Sequence, residues 1–440
     1  MLKTSLDYNT LTEYFRSGCK QPSALQIGVE WEKIGIDRET GNAIPYSGAR
    51  GVRTIFEALQ KKYGWQPTLS QSGDPIALKK GPTLIALEPG GQIELSGQQA
   101  PHIFDNGAEL RLHLVELREV SKPLGIVWLG IGAQPFSRHE EIEWVPKDRY
   151  DIMRDRLKGH GDLTFAMMKE TASVQVSLDY TSEADAVEKL RLAMALAPVF
   201  TAMFANSPFE SGNRSAYLSR RTHIWHETDP DRTGILWDIF QKPSYSFADY
   251  MRYALAVPIL FIHRDNRWIS LPPMTFEVFM KSGWSGFEAT LQDWELHLTT
   301  IFLETRLKKY LEIRTIDCQN IPMGLAAVAF VKGLFYSADA RRGAWNLLKD
   351  MTRAERQEMR ENGPKIALKT PFKGRTLLYA AEALAELAQS GLAGEERGFL
   401  EPLKDLLRSQ RCPAEKLLEC GCDSSDRRSK IDRLIECAAI

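Results

Sequence analysis

The sequence predicts an α+β fold: an antiparallel-rich sheet with helices packed outside it. Three observations carry that expectation. Several short stretches alternate apolar and polar residues, as half-buried strands do. Strand-like and helix-like stretches are mixed without the regular β-α-β rhythm of a doubly wound sheet. From about residue 321 onward the pattern is nearly all helical, with Leu384, Leu387 and neighbouring apolar residues at three- and four-residue spacing. No internal repeat and no Pro/Gly/Ser linker divides the 440 residues. Residues 1–440 therefore read as one body whose C-terminal third, about 321–440, is mostly helix.

Along the chain, Leu25 to Ile36 alternates Leu25, Ile27, Val29 and Trp31 against Gly28, Glu30 and Glu32. Ile76 to Leu78, Thr83 to Glu88 and Gln92 to Ser96 read as a meander, its second turn being Pro89-Gly90-Gly91. Thr171 to Tyr180 and Tyr310 to Asp317 alternate in the same way, the latter placing Glu312 and Arg314 together. Helices are expected at Thr54 to Tyr63, Ala108 to Val120 and Ala184 to Ala205. Ser182 is placed to cap the last of these, and Pro198 to bend it.

Composition sets broad limits. With 43% hydrophobic residues the chain can build a core, which excludes global disorder. Fifty-six basic residues against 57 acidic ones give a net charge of -1, so nothing favours a nucleic-acid partner. No window reaches the roughly 20 apolar residues of a membrane helix. The first residues lack an apolar signal core, and six cysteines in this length do not form a disulfide framework. A cytoplasmic protein with reduced thiols is expected.

The acidic residues on these strands are harder to account for. One glutamate on a half-buried strand needs no explanation beyond solvent. Glu30 and Glu32, however, share a face of one strand, and Glu88 and Glu94 flank one tight turn. If these strands and the one carrying Glu312 join one sheet, five carboxylates meet on one surface. Two carboxylates ~5 Å apart at an effective dielectric near 20 repel by roughly 3 kcal/mol. Some must bind protons, or cations must lie between them. Mg²⁺ suits the site, since it takes oxygen ligands and bridges carboxylates to nucleotide phosphates. Five acids suggest two or more ions, or one acid kept for a substrate ammonium.

Nine segments in order, IGVEWEKIGI, ALEPGGQIELSG, TASVQVSLDYTSEAD, FANSPF, YLSRRTHIWHETDPDRTG, DWELHLTTIF, RLKKYLEIR, ALKTPFKGRTLL and PAEKLLE, resemble the plant-type glutamate–cysteine ligases. The resemblance implies a funnel-like antiparallel sheet of the glutamine synthetase and glutamate–cysteine ligase type, surrounded by helices. It implies ATP-dependent joining of the glutamate γ-carboxylate to the cysteine amine through a γ-glutamyl phosphate, the first step of glutathione biosynthesis. It further implies Glu30, Glu32, Glu88, Glu94 and Glu312 as the Mg²⁺ and ATP-site acids, and Arg314 on the transferring phosphate. Arg221 resembles the family arginine that grips a substrate carboxylate; Arg220 beside it is less regular. Gln175 is a candidate to hydrogen-bond the amino acid. Trp225 is a candidate to close the pocket, with core packing an equal alternative. Tyr250 and Tyr253 are lesser candidates for substrate contact, packing being the favoured reading of both. Glutamate, cysteine and ATP are thus the expected small-molecule partners.

Trp31 departs from the family, where histidine is usual, and Ile34 stands for an aromatic. Because Trp31 faces away from Glu30 and Glu32, altered packing is expected. Cys318 to Met323 is divergent. Two other readings stand beside the ligase: a γ-glutamyl ligase for another amine, and a silent nucleotide- or amino-acid-binding relative. Gly130-Ile131-Gly132 lacks the third glycine of a dinucleotide site, because Pro135 occupies its place. His223 and His226 show no third zinc ligand nearby. Cys412, Cys420, Cys422 and Cys437 match no zinc spacing and read as reduced thiols.

Overall fold

The computed structural model describes residues 6–70, 72–422 and 426–440. Nine strands form its main sheet: β1 (Ile27–Asp37), β2 (Gln66–Leu69), β3 (Pro75–Lys80), β4 (Thr83–Leu87), β5 (Ile93–Ser96), β6 (Ile126–Leu129), β7 (Ser173–Leu178), β8 (Thr305–Leu307) and β9 (Leu311–Asp317). The path runs β8-β9-β7-β1-β5-β4-β3-β2, with β6 on the second half of β1, and every pairing is antiparallel. Each strand predicted from alternation is present. The sequence reading missed β2 and β8, together with four small two-stranded ribbons.

The alternation of β1 sorts its side chains as expected. Ile27, Val29 and Trp31 are buried in the core. Their face is covered by the helices Ile103–Ser121, Glu183–Phe204 and Ile321–Tyr336, which pack on β1, β9 and β7. The Ser182 hydroxyl accepts from Asp185 N, capping the second helix as predicted, and that helix continues through Pro198 to Phe204. The first begins five residues earlier than predicted, at Ile103. Trp31 does face away from the acids: its indole lies where a Cβ on Gly324 would stand 2.1 Å away. Only glycine at the start of the Ile321–Tyr336 helix admits so large a ring.

The C-terminal residues build on this frame. Beyond residue 321, helices alternate with short turns and one ribbon, Pro371–Phe372 with Arg375–Thr376. The final residues return to the sheet, where Ile440 N donates to Trp128 O and Gly130 N to Ala438 O. Among the described residues no single helix is long and apolar enough to cross a membrane.

Lys33 points into the core side of β1 and is fully buried, its Nζ donating to Trp31 O at 2.6 Å. Burial pushes its ammonium down to about 7. Between pH 7 and the ordinary lysine range the unfolded chain holds a proton that the folded chain lacks, so stability rises with pH across that window. Lys33→Met removes the penalty. Urea unfolding should show a gain of about 1–4 kcal/mol at pH 6 and a smaller gain at pH 9. An equal gain at both values would show that Lys33 is not the titrating group.

Candidate active site

Cross-strand register assembles the acids. Glu32 of β1 sits opposite Glu94 of β5, and Glu30 lies between Ser96 of β5 and Gln175 of β7. Glu312 of β9 is opposite Ser177 of β7 and Arg306 of β8. Directly opposed residues put their Cβ atoms about 4.5–5.5 Å apart, so these side chains share one field. Glu88 joins from the turn between β4 and β5, where Gly91 N donates to Glu88 O. That turn needs glycine at position 90, because a Cβ there would stand 2.3 Å from Lys169 O.

Charge repulsion is visible in the acids. Burial, then the charges of Glu94 and Glu312, push Glu30 up to about 8. Burial, then Glu88 and Glu94, push Glu32 up to about 7. Glu94 is raised by burial and by Glu88. Glu312 goes the other way. Burial would raise it, but Arg306, Lys308 and Arg314 hold it well below the carboxylate range.

Those three cations define one end of the site. Arg306 grips both oxygens of Glu312, with Nη2–Oε1 at 2.6 Å and Nε–Oε2 at 3.1 Å. Lys308 Nζ stands 3.0 Å from Oε2, and Arg314 Nη1 donates to Oε1 at 2.6 Å. The Arg314 nitrogen also donates to Gln175 Oε1 at 2.5 Å, while Gln175 Nε2 donates to Glu32 Oε1 at 2.9 Å. Glu32 Oε2 accepts from Ser173 N and Oγ. A continuous line of hydrogen bonds therefore crosses the sheet from β8 to β1. Gln175 spans acid and arginine in this line.

Two cavities meet at Arg314, Trp225 and Phe302. One, of about 600 Å³, opens on Glu32 and Glu88 and is walled by Arg149, Tyr150 and Thr171. Among the described residues Arg149 Nε is buried without a partner. The other, of about 370 Å³, lies behind Trp225 and includes Arg221 and Thr315. Both guanidinium carbons, of Arg221 and Arg314, stand within 6 Å of the Trp225 ring centre, at 5.9 and 5.7 Å. Ser219 caps the short helix Arg220–His226 that presents Arg221 and Trp225.

Several sequence candidates lie elsewhere. Tyr250 is fully buried beside Phe15, and its hydroxyl accepts from Leu307 N, so it supports the start of the β8–β9 turn and lines neither cavity. Tyr253 donates to Asp231 O. Arg220 pairs with Glu170 and Glu210. His223 stacks on Tyr217 at 3.9 Å, a packing role. Among the described residues no cysteine forms a disulfide. Conversely, the sequence reading passed over Arg306, Lys308 and Arg149. The first two had a signal: a turn at Lys308 to Tyr310 between alternating flanks sets Arg306 opposite Glu312.

The acids offer only oxygen donors, which fits a hard divalent cation. Among the described residues, no three His, Cys, Asp or Glu side chains are gathered to share one ion in this arrangement.

The family model described as glutamate-cysteine ligase family 2 matches residues 26–436. The chain belongs to the glutamate–cysteine ligase family. It is 41% identical over 416 residues to the chloroplastic glutamate–cysteine ligase of Arabidopsis thaliana, covering 93% of this chain and 78% of that protein. Glutamate–cysteine ligase B, chloroplastic, of Oryza sativa subsp. japonica is 39% identical over 93% of this chain and 82% of its own length. The glutamate–cysteine ligase of Francisella tularensis, solved in complex with AMP, shares the fold at a TM-score of 0.54 and 12% identity, over 93% of this chain and 87% of that one. The antiparallel sheet with surrounding helices is thus the family's fold.

Within this ligase fold, Glu312→Gln leaves three buried cations facing a neutral amide. Removing one partner of a buried pair destabilises by about 3–5 kcal/mol, which urea unfolding should detect. Adding Arg306→Met should recover part of that loss. No recovery in the double variant would mean that Arg306 is not the strained partner.

Proposed function

We propose that the chain joins the γ-carboxylate of glutamate to the amino group of cysteine, with ATP and Mg²⁺, through a γ-glutamyl phosphate, as the first step of glutathione biosynthesis. The observation that carries this reading is the pair of cavities meeting at Arg314, one lined by acids and the other by arginines. Family membership supports it, as do the names of the plant relatives. The Francisella enzyme of this fold was solved in complex with AMP, which supports a nucleotide substrate.

On this reading Glu30, Glu32, Glu88 and Glu94 would hold Mg²⁺, whereas Glu312, whose oxygens are taken by Arg306, Lys308 and Arg314, would act through the arginine it fixes. When bound, Mg²⁺ would offset the clustered negative charge and supply Lewis-acid stabilisation of phosphate oxygens. Arg149, whose buried Nε has no protein partner among the described residues, is suited to a phosphate oxygen. Arg314, fixed by Glu312 and Gln175, meets charge developing on the transferred phosphoryl group. Arg221 binds a substrate carboxylate and Trp225 closes over the reacting groups. The glutamate γ-carboxylate takes the terminal phosphoryl group as ADP leaves. The cysteine amine then attacks the γ-carbonyl, a C–N bond forms, inorganic phosphate leaves with the C–O bond electrons, and the amine proton passes to solvent. No covalent enzyme nucleophile is required, because positioning and charge supply the catalysis.

Phosphate release with glutamate, ATP and Mg²⁺ tests the proposal, with cysteine compared against 2-aminobutyrate, alanine, glycine and simple amines. Cysteine-dependent release with a γ-glutamylcysteine mass is expected. Turnover with another amine alone would reassign the acceptor, and nucleotide binding without turnover would make the chain a silent relative. In the same assay Arg314→Lys keeps the charge but loses the fork that spans Glu312 and Gln175. Its kcat should fall by about 10²-fold, the scale of losing one preorganised donor, with thermal stability little changed. Wild-type kcat in that variant would remove Arg314 from the transfer step.

A further inference from the structure

Three of the six cysteines meet near the C-terminus, and none of them lines either cavity. Cys420 ends the short helix Pro413–Glu419, Cys422 follows two residues on, and Cys437 lies in the last turn of the helix Arg427–Ala438. The Cys437 thiol is in hydrogen-bonding contact with both Cys420 and Cys422. Cys420 is exposed, Cys437 half-buried and Cys422 buried. Other thiols stand apart from this group. Cys412 packs with Ala205, Ala367 and Ala414, and burial pushes Cys318 up to about 12.

The thiols join two elements anchored to different parts of the protein. Ala414 N donates to Ala205 O, which ties Pro413–Glu419 to the end of Glu183–Phe204. The helix Arg427–Ala438 is strapped across the turn that follows β1. Arg427 donates to Thr40 O and Asn42 Oδ1, and Lys430 Nζ donates to Gly212 O. Directly after Cys437 the chain closes on β6, where Gly130 N donates to Ala438 O at 2.9 Å and Ile440 N to Trp128 O at 3.0 Å. Strand β6 pairs in turn with the second half of β1, the strand that carries Glu30 and Glu32. The state of the thiols therefore bears on how firmly the last residues hold to the sheet.

Two thiols in contact can become a disulfide, and three can instead share a soft cation. Among the described residues no three such side chains are gathered to share one ion, which favours the first chemistry. Cys420 is the thiol that an oxidant in solvent reaches first. Burial, then Cys420, push Cys437 up to about 11. A thiol of that kind attacks slowly, but it is also a poor leaving group, so a bridge made through it resists reduction. We propose that Cys420 and Cys437 form a disulfide when a small-molecule disulfide is present, and that this bridge latches the C-terminal strap onto the sheet. The Cys420 thiolate attacks the oxidant RSSR, forming Cys420–S–SR and releasing RS⁻. Cys437 then gives its proton to solvent and attacks the Cys420 sulfur, and the second RS⁻ leaves; both RS⁻ take protons from solvent. Two protein thiols lose two electrons in all, and one RSSR becomes two RSH. Cross-linking positions 420 and 437 removes freedom from the unfolded chain and so stabilises the folded one.

Equilibration of the full chain in mixtures of oxidised and reduced glutathione tests the latch, read by intact mass and a non-reducing peptide map. The expected product is a chain two hydrogens lighter, with one link between the peptides that hold Cys420 and Cys437. Its melting temperature should exceed that of the reduced chain by about 3 °C or more. Amide hydrogen exchange at Gly130 and Ile440 should slow. Cys420→Ser and Cys437→Ser should each lose the link and the rise in melting temperature, whereas Cys19→Ser should keep both. Cys420 is exposed, so Cys420→Ser keeps the test valid if Cys437→Ser unfolds. A link through Cys422 in place of Cys420, a link between two chains, a lasting glutathione adduct without a link, or no change in mass would overturn the pairing. A link that alters neither melting nor exchange would overturn the latch. None of these readouts needs turnover, so the outcome stands apart from the ligase reading.

Discussion

Glu312 and its three cations are what the rest of the site depends on. Five glutamates on or beside one sheet face repel one another, and burial makes the repulsion worse. The structure answers unevenly. Glu30 and Glu32 drift up toward neutrality, while Glu312 is kept ionised by Arg306, Lys308 and Arg314. That contrast has a geometric cause. Glu312 lies on β9, one strand from the sheet edge, where the β8–β9 hairpin can fold cations back over it. Glu30 and Glu32 lie on the central strand, where their neighbours are Glu94, Ser96 and Gln175. The same hairpin also fixes Arg314, so one register serves both the charge balance and the placement of the arginine.

Much of this was legible in the sequence, and the limits have physical reasons. Alternation and turn chemistry revealed β1, the meander β3–β5, β7 and β9, of which β1, β5, β7 and β9 have one face in the core and one in the site. Placing Glu30, Glu32, Glu88, Glu94 and Glu312 together needed only that those strands share a sheet. Strand β2 escaped because all four of its residues are exposed, so no alternation marks it. Strand β8 has three residues, all buried, too few to show a period. Tyr250, a lesser candidate whose favoured reading is packing, packs edge to face on Phe15, and its hydroxyl accepts from Leu307 N. Sequence proximity to a motif does not say which way a side chain turns.

The cluster of His226, Glu304 and Arg360 on the wall of the cavity behind Trp225 was invisible for a different reason. Its members come from a short helix, a strand entry and a helix of the C-terminal third, separated by 78 and 56 positions. No periodicity links such residues. Only the packing of Arg353–Ile366 against Glu183–Phe204 and Arg220–His226 brings Arg360 to Glu304. The helical third is therefore not a detached appendage. It buries the back of the sheet through Ile321–Tyr336, receives Trp31 at Gly324, and sends one guanidinium to the wall of the second cavity.

The partition between the cavities has its own physical logic. A ligase that activates one carboxylate must keep water from the activated carbonyl while admitting an amine from another side. Trp225 and Phe302 stand edge to face, with ring centres 5.7 Å apart, and both border the Arg314 guanidinium. An aromatic pair excludes water at little entropic expense, since each ring has two side-chain torsions, and its π faces hold a cation without using its N–H donors. Arg314 is thus held by the aromatic pair on one side and by Glu312 and Gln175 on the other. Substitution of Trp225 by a small residue would join the two spaces and wet the guanidinium. One aromatic wall thus divides a crowded charged sheet into two cavities.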